Sequence, residues 1–315
     1  VEAAVGLALG SGSARGIAHI GVLKAFNEAQ IPIKMVSGTS IGALVGAAYC
    51  AGKLNEFEQF MLQVDWKLIA SYCDFVFPKK GLMQGQKVRE LIAELIGVES
   101  FSNLSTPLLV ASTDLHSGDP IILQEGNLVE AVRASISLPG IFEPVLWQGR
   151  TLVDGGLTNP VPVRLLQDFD LQVLVAVDLN SNIEVRNRGK KRLKSLRKST
   201  TRHKNADSWA FVQLEEQYKK LQKQLTNRFP QLSELKAKVK VEEPGFFDVI
   251  SNSINIMMHQ LAMHQLNQQS VDVIVRPLVS DVGLFDYDEA SRLIQAGYEE
   301  AQLYIPIIQR KLDAS

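Results

Sequence analysis

The sequence predicts an α/β protein with a mostly parallel central sheet flanked by helices. Short apolar runs bounded by turn residues recur along the chain, segments with helical spacing separate them, and two strand-to-helix junctions are glycine-containing loops. Strands that alternate with helices pair in parallel and are covered on both faces. At 315 residues, 46% of them hydrophobic, the chain can bury a large core, and a single domain over 1–315 is expected.

The expected strands are 5–9, 33–37, 107–112, 172–179 and 271–276. The first runs into Gly10-Ser11-Gly12-Ser13-Ala14-Arg15-Gly16, after which Ile17, Ile20 and Leu23 fall at helical spacing. The second runs into Gly38-Thr39-Ser40-Ile41-Gly42 and then Ala43, Leu44, Val45, Ala47 and Ala48, a small-residue helix. The third leads through His116-Ser117-Gly118-Asp119 to the apolar run 121–124, the return arm of a hairpin and one antiparallel excursion in the sheet. A short strand at 151–153 delivers Asp154 to a turn made by Gly155 and Gly156. The apolar, Met-rich pattern over 254–266 is helical and carries His259 and His264.

Composition changes after Asn182. Between Glu184 and Asp207 there is no acidic residue, while ten Lys and Arg residues from Arg186 to Lys204 crowd together. Phe211, Leu214, Tyr218, Leu221 and Leu225 then follow at three- and four-residue spacing, up to a stop at Pro230. This reads as a basic and amphipathic helical insertion over 183–243. Two readings stay open: a solvated charge run with a surface helix, or a contact of 186–229 with an anionic membrane that weakens as salt rises. The same spacing permits a helix-mediated dimer.

A net charge of −1 argues against a nucleic-acid partner held by bulk electrostatics. The two cysteines, Cys50 and Cys73, read as buried small hydrophobes in a reducing compartment. A cytoplasmic location is therefore expected, with peripheral membrane association through the insertion. No apolar run approaches the roughly 20 residues of a membrane span, and the chain does not open on a signal-peptide pattern. No ligand cluster has metal spacing, so neither metal nor cofactor is expected.

The chemistry concentrates at three loops. Gly38 to Gly42 is G-x-S-x-G in a strand-turn-helix setting, which exposes a serine hydroxyl on a tight turn, with Gly38 and Gly42 admitting close backbone. The simpler alternative is a Ser N-cap between two glycines. A serine nucleophile needs a base. His259 and His264 would complete a Ser, acid, His order but read more simply as helix residues. Asp154, at a strand end before two glycines, is the better candidate, although a turn aspartate is the commoner use of such a position. If Ser40 attacks a carbonyl, the backbone N–H groups of Gly12, Ser13 and Ala14 are the expected oxyanion donors, with Arg15 adding positive charge and a candidate contact to a lipid phosphate. A dinucleotide loop fits less well: the glycines at 10, 12 and 16 are one residue off the fingerprint, and the acidic residue expected near 33–37 is absent. No Lys-Ser/Thr pair makes a P-loop.

These pieces in this order, together with Arg133-Ala134-Ser135-Ile136-Ser137-Leu138-Pro139 between the last two, resemble the patatin-like phospholipase family, most closely its short bacterial members, over about 5–180. The resemblance implies a three-layer sandwich and a serine hydrolase with a Ser40–Asp154 dyad and no histidine. It also implies an oxyanion hole at the glycine-rich loop and a phospholipid or lysophospholipid substrate cleaved as in phospholipase A or lysophospholipase. Many members carry glycine where this chain has Ser11 and Ser13. That departure keeps a second reading open, a catalytically weak or inactive lipid-binding or regulatory protein.

Overall fold

The structure, a computed structural model, describes residues 4–65, 68, 71–72, 83–180, 246–283 and 286–314. The expected insertion over 183–243 and Cys73 lie outside the described residues. Among those described, β1 (Val5–Leu9), β2 (Ile33–Thr39), β3 (Leu108–Asp114), β4 (Pro120–Leu123), β5 (Val145–Trp147), β6 (Arg150–Asp154), β7 (Val173–Val177) and β8 (Val273–Val275) form one sheet. The order is β5-β6-β3-β2-β1-β7-β8, with β4 paired to β3. The run β3-β2-β1-β7-β8 is parallel throughout.

Every residue of β1 and β3 is buried, because apolar strands in a parallel sheet are covered on both faces. Successive side chains alternate between the two cores. Leu7 and Leu9 join Ile20, Phe26, Val45 and Ile294, which lie on α1 (Ala18–Glu28), α2 (Ile41–Cys50) and α7 (Ala290–Asp313). Ala8 faces the other way, with Leu109, Ala176 and Leu166, onto Ala262 and Leu266 of α6 (Phe246–Gln268). Further helices, α3 (Leu54–Gln63), α4 (Gln86–Ile96) and α5 (Leu128–Ser135), extend the first layer. The three-layer α/β sandwich is therefore as expected. Among the described residues, no helix is long and apolar enough to cross a membrane.

The antiparallel part is larger than the sequence suggested. The expected hairpin is there, with β4 antiparallel to β3, but β6 also runs antiparallel to β3 and β5 to β6. The single expected excursion is thus corrected to two. The missed hairpin turns on Gln148 and Gly149, both with positive φ (48° and 81°), between the paired residues Trp147 and Arg150. That is the two-residue turn whose twist matches a hairpin. Strand β5 is too short to display alternation, so only the turn residues carried a signal.

This hairpin positions the site. Thr39, the last residue of β2, pairs with Ala111 of β3, and Asp154, the last of β6, pairs with the next residue, Ser112. Ser40 and Asp154 therefore leave the sheet side by side.

Candidate active site

Ser40 sits between β2 and α2 with φ 56° and ψ −122°. An L-residue holds such a conformation at a cost of about 1–3 kcal/mol, so its surroundings must enforce it. Two close approaches do so. A Cβ on Gly38 would lie 2.6 Å from the Gly42 carbonyl oxygen, and one on Gly42 would lie 2.2 Å from that of Leu9. Only glycine lets the strand end, the glycine-rich loop and the start of α2 converge.

The Ser40 hydroxyl donates to Asp154 Oδ2 at 2.7 Å, and the Gly156 N–H donates to Asp154 Oδ1 at 2.7 Å. Asp154 is only 2% exposed, whereas Ser40 is half-buried and reachable. Burial pushes the Asp154 carboxyl up to about 6, with the donors from Ser40 and Gly156 pulling it back down. A carboxylate poised there is charged at neutral pH, yet basic enough to accept a serine proton.

The end of α5 and the segment after it align the pair. Ser135 Oγ donates to Ala111 O at 2.6 Å and accepts the Ser40 N–H at 2.8 Å, while Ser137 O accepts the Asp154 N–H at 3.0 Å. Buried Arg133 holds the segment: it donates to Ser137 Oγ, to Gln84 O and to Glu143 O, and its guanidinium lies 4.8 Å over the Phe142 ring. Thr39 Oγ1 donates to Asn159 O at 2.7 Å, tying the Asp154 turn to β2. The sequence singled out Arg133 to Pro139 as a pattern but gave its serines no task. The partners that give Ser135 and Ser137 their task, Ser40, Ala111 and Asp154, lie 17 to 95 residues away and become visible only in the fold.

Residues Ser13–Ile17 form a 3-10 turn packed against α2. Gly12 caps this turn, and Ser13 and Ala14 are its first residues, the end of a helical segment from which backbone N–H groups point outward. Ser13 has φ 52°, the left-handed region that favours glycine, so serine here carries strain of about 1–2 kcal/mol. Its Oγ lies 3.2 Å from the Tyr287 hydroxyl. Ser11 is buried, and its Oγ and O both accept from Asn180 Nδ2 at 3.1 Å.

Arg15 corrects an expectation. It is only 5% exposed, and its guanidinium donates to Gly12 O, Leu179 O, Asn180 Oδ1 and Asn255 Oδ1 at 3.2–3.3 Å. A side chain with its donors committed inward is a strut of the loop rather than a receptor for a lipid phosphate. His19, unassigned by the sequence, lies beneath the same loop. Its Nε2 donates to Gly10 O at 2.7 Å, and burial lowers its pKa to about 4, which keeps it neutral. His259 and His264 lie on α6, and neither is hydrogen-bonded to Ser40 or Asp154.

Comparison with known proteins gives the family of the chain. The patatin-like phospholipase family model matches residues 7–166. An uncharacterized NTE family protein of Mycobacterium bovis is 35% identical over 178 residues, which are 56% of this chain and 49% of that protein. The neuropathy target esterase sws of Drosophila melanogaster is 34% identical over 187 residues, 56% of this chain and 13% of that protein. The chain thus spans about half the length of the first relative and far less of the second. VipD from Legionella pneumophila aligns over 99% of this chain and 67% of its own at 13% identity, with a TM-score of 0.40. The family match takes in the Ser40 turn, the Asp154 turn and the glycine-rich loop, and by it this chain belongs to the patatin-like phospholipase family.

Proposed function

We propose that the chain is a lipid acyl hydrolase of the phospholipase A or lysophospholipase type, acting through a Ser40–Asp154 dyad. The observation that carries this reading is the 2.7 Å hydrogen bond from the Ser40 hydroxyl to a buried carboxylate at a raised pKa. As Ser40 Oγ forms a bond to the ester carbonyl carbon, its proton passes to Asp154 Oδ2 and the carbonyl π electrons move onto oxygen. The N–H groups of Gly12, Ser13 and Ala14 stabilise that oxyanion. Its collapse breaks the bond to the alcohol, which takes the proton from Asp154 and departs, leaving acyl-Ser40. Water then repeats the sequence, giving its proton to Asp154 and releasing the fatty acid and Ser40.

The test is labelling with a fluorophosphonate probe. The intact protein should label, and Ser40→Ala should abolish the signal. The rate for the intact protein should rise with pH through a limb near 6, since Asp154 must be ionised to accept the proton. A folded, intact protein that does not label would overturn the hydrolase reading. It would favour a lipid-binding protein, an alternative supported by the strained serine at position 13.

A further inference from the structure

We propose that Asn255, on α6 and outside the matched residues 7–166, is a positioning residue for the glycine-rich loop, acting through Arg15. Helix α6 lies along the site. Its Met258 packs against Gly156, and Gln265 Nε2 donates to Thr158 O at 2.8 Å, so it covers the Asp154 turn. Asn255 is the polar exception on an inward face that continues through Met258, Ala262 and Leu266. It is 8% exposed; Oδ1 accepts from Arg15 Nη2 at 3.2 Å, while Nδ2 is buried without a hydrogen-bond partner among the described residues. An unmet buried donor is unfavourable, and a leucine would suit the core better. What Asn255 contributes is the acceptor for Arg15.

Arg15 transmits that contact. Its backbone N–H and its Nε both donate to Gly12 O at 3.2 Å, drawing this carbonyl inward. In a trans peptide the C=O and the following N–H point in opposite directions, so fixing Gly12 O sets the direction of the Ser13 N–H. Asn255 and Asn180 share Nη2 and hold the guanidinium from two places, α6 and the segment after β7. The site is thereby completed from both halves of the chain.

The inference rests on the hydrolase reading for what the loop does, but not for how it is held, and two readouts separate the two. Amide hydrogen exchange over 10–17 reports loop order with or without turnover, and kcat and KM on a p-nitrophenyl ester report catalysis. In Asn255→Leu, exchange at 12–15 should quicken at least about tenfold. Its kcat should fall about 10- to 100-fold, with KM held within about threefold. Asn255→Asp keeps an acceptor for Arg15 and removes the orphan donor, so both readouts should stay near parental. Asn255→Ala replaces the leucine variant if that does not fold, with the same expectation. Unchanged exchange in the leucine or alanine variant would overturn the proposal, as would loosening with undiminished kcat. An aspartate variant as impaired as the leucine one would also overturn it, by showing that Nδ2 is the atom that matters. A parent that turns over no ester, with exchange still quickened in Asn255→Leu, would sink the hydrolase reading and leave the positioning of the loop standing.

Discussion

Asp154→Asn is expected to lower the rate of Ser40 acylation by about 10²–10⁴-fold, the range for loss of a general base, while making the protein more stable at pH 8. The amide has the shape of the carboxylate, and its oxygen still accepts the Gly156 N–H. The Ser40 proton, however, loses its acceptor. Stability moves the other way because the folded carboxyl sits at about 6 against an ordinary 3.8. The folded state binds that proton more tightly than the unfolded chain does, so the ionised form opposes folding. This penalty reaches about 3 kcal/mol above pH 6 and fades as pH falls from 6 towards 4. The asparagine variant escapes it, so its advantage should be full at pH 8 and gone near pH 4. His19 has the opposite sign: its pKa of about 4 lies below an ordinary 6.5, so its contribution is lost as pH falls through that interval. In the parent the two groups oppose each other, and in Asp154→Asn only the His19 effect remains. Urea denaturation at pH 8, 6 and 4.5 should therefore show a variant that starts more stable than the parent and loses stability more steeply in acid. A variant less stable than the parent at pH 8 would show that the Asp154 carboxylate is not under desolvation strain.

How much of this was legible depends on how local each determinant is. The strands β1, β2, β3, β4, β7 and β8 lay within apolar runs and turns, and the junctions holding Ser40 and Asp154 were visible because glycine and serine at fixed offsets specify local backbone. Strand β5 was not, since three residues show no period. Arg15 was misjudged for another reason. An arginine beside a glycine-rich loop looks the same in sequence whether it faces solvent or a buried cradle, and its acceptors at Leu179, Asn180 and Asn255 lie at least 164 positions away. Ser135 belongs to the same class, defined by the Ala111 carbonyl 24 positions away, whereas His19 meets Gly10 O only nine positions back, through the fold of the loop between them.

Local glycines also differ in what they tolerate, and α2 contains a matched pair. Gly42 and Gly46 are one turn apart and neither has positive φ, so alanine is conformationally allowed at both. What separates them is the matter a methyl group would meet. At 42 it would lie 2.2 Å from Leu9 O and 2.7 Å from Gly10 O, both backbone. That backbone has little freedom to retreat, because the Gly10 N–H donates to Val177 O and Gly10 O accepts from His19. The start of α2 would have to move instead and take Ser40 with it. A displacement of about 1 Å costs on the order of 10²-fold in rate, so Gly42→Ala should lose at least that much, with about 1–3 kcal/mol of stability. At 46 the methyl would meet only side-chain tips, Leu108 Cδ1 and Val36 Cγ1 at 3.3 Å and Leu9 Cδ1 at 3.5 Å. These can shift by a few tenths of an ångström, and alanine favours the helix by about 1 kcal/mol over glycine. Gly46→Ala should therefore stay within about 1 kcal/mol of the parent and keep its rate. Fluorophosphonate labelling and urea denaturation of the two variants side by side check the contrast. A fully active Gly42→Ala would mean that the Ser40 turn does not depend on the contact with Leu9 and Gly10, whereas an inactive Gly46→Ala would trace the sensitivity to the helix as a whole.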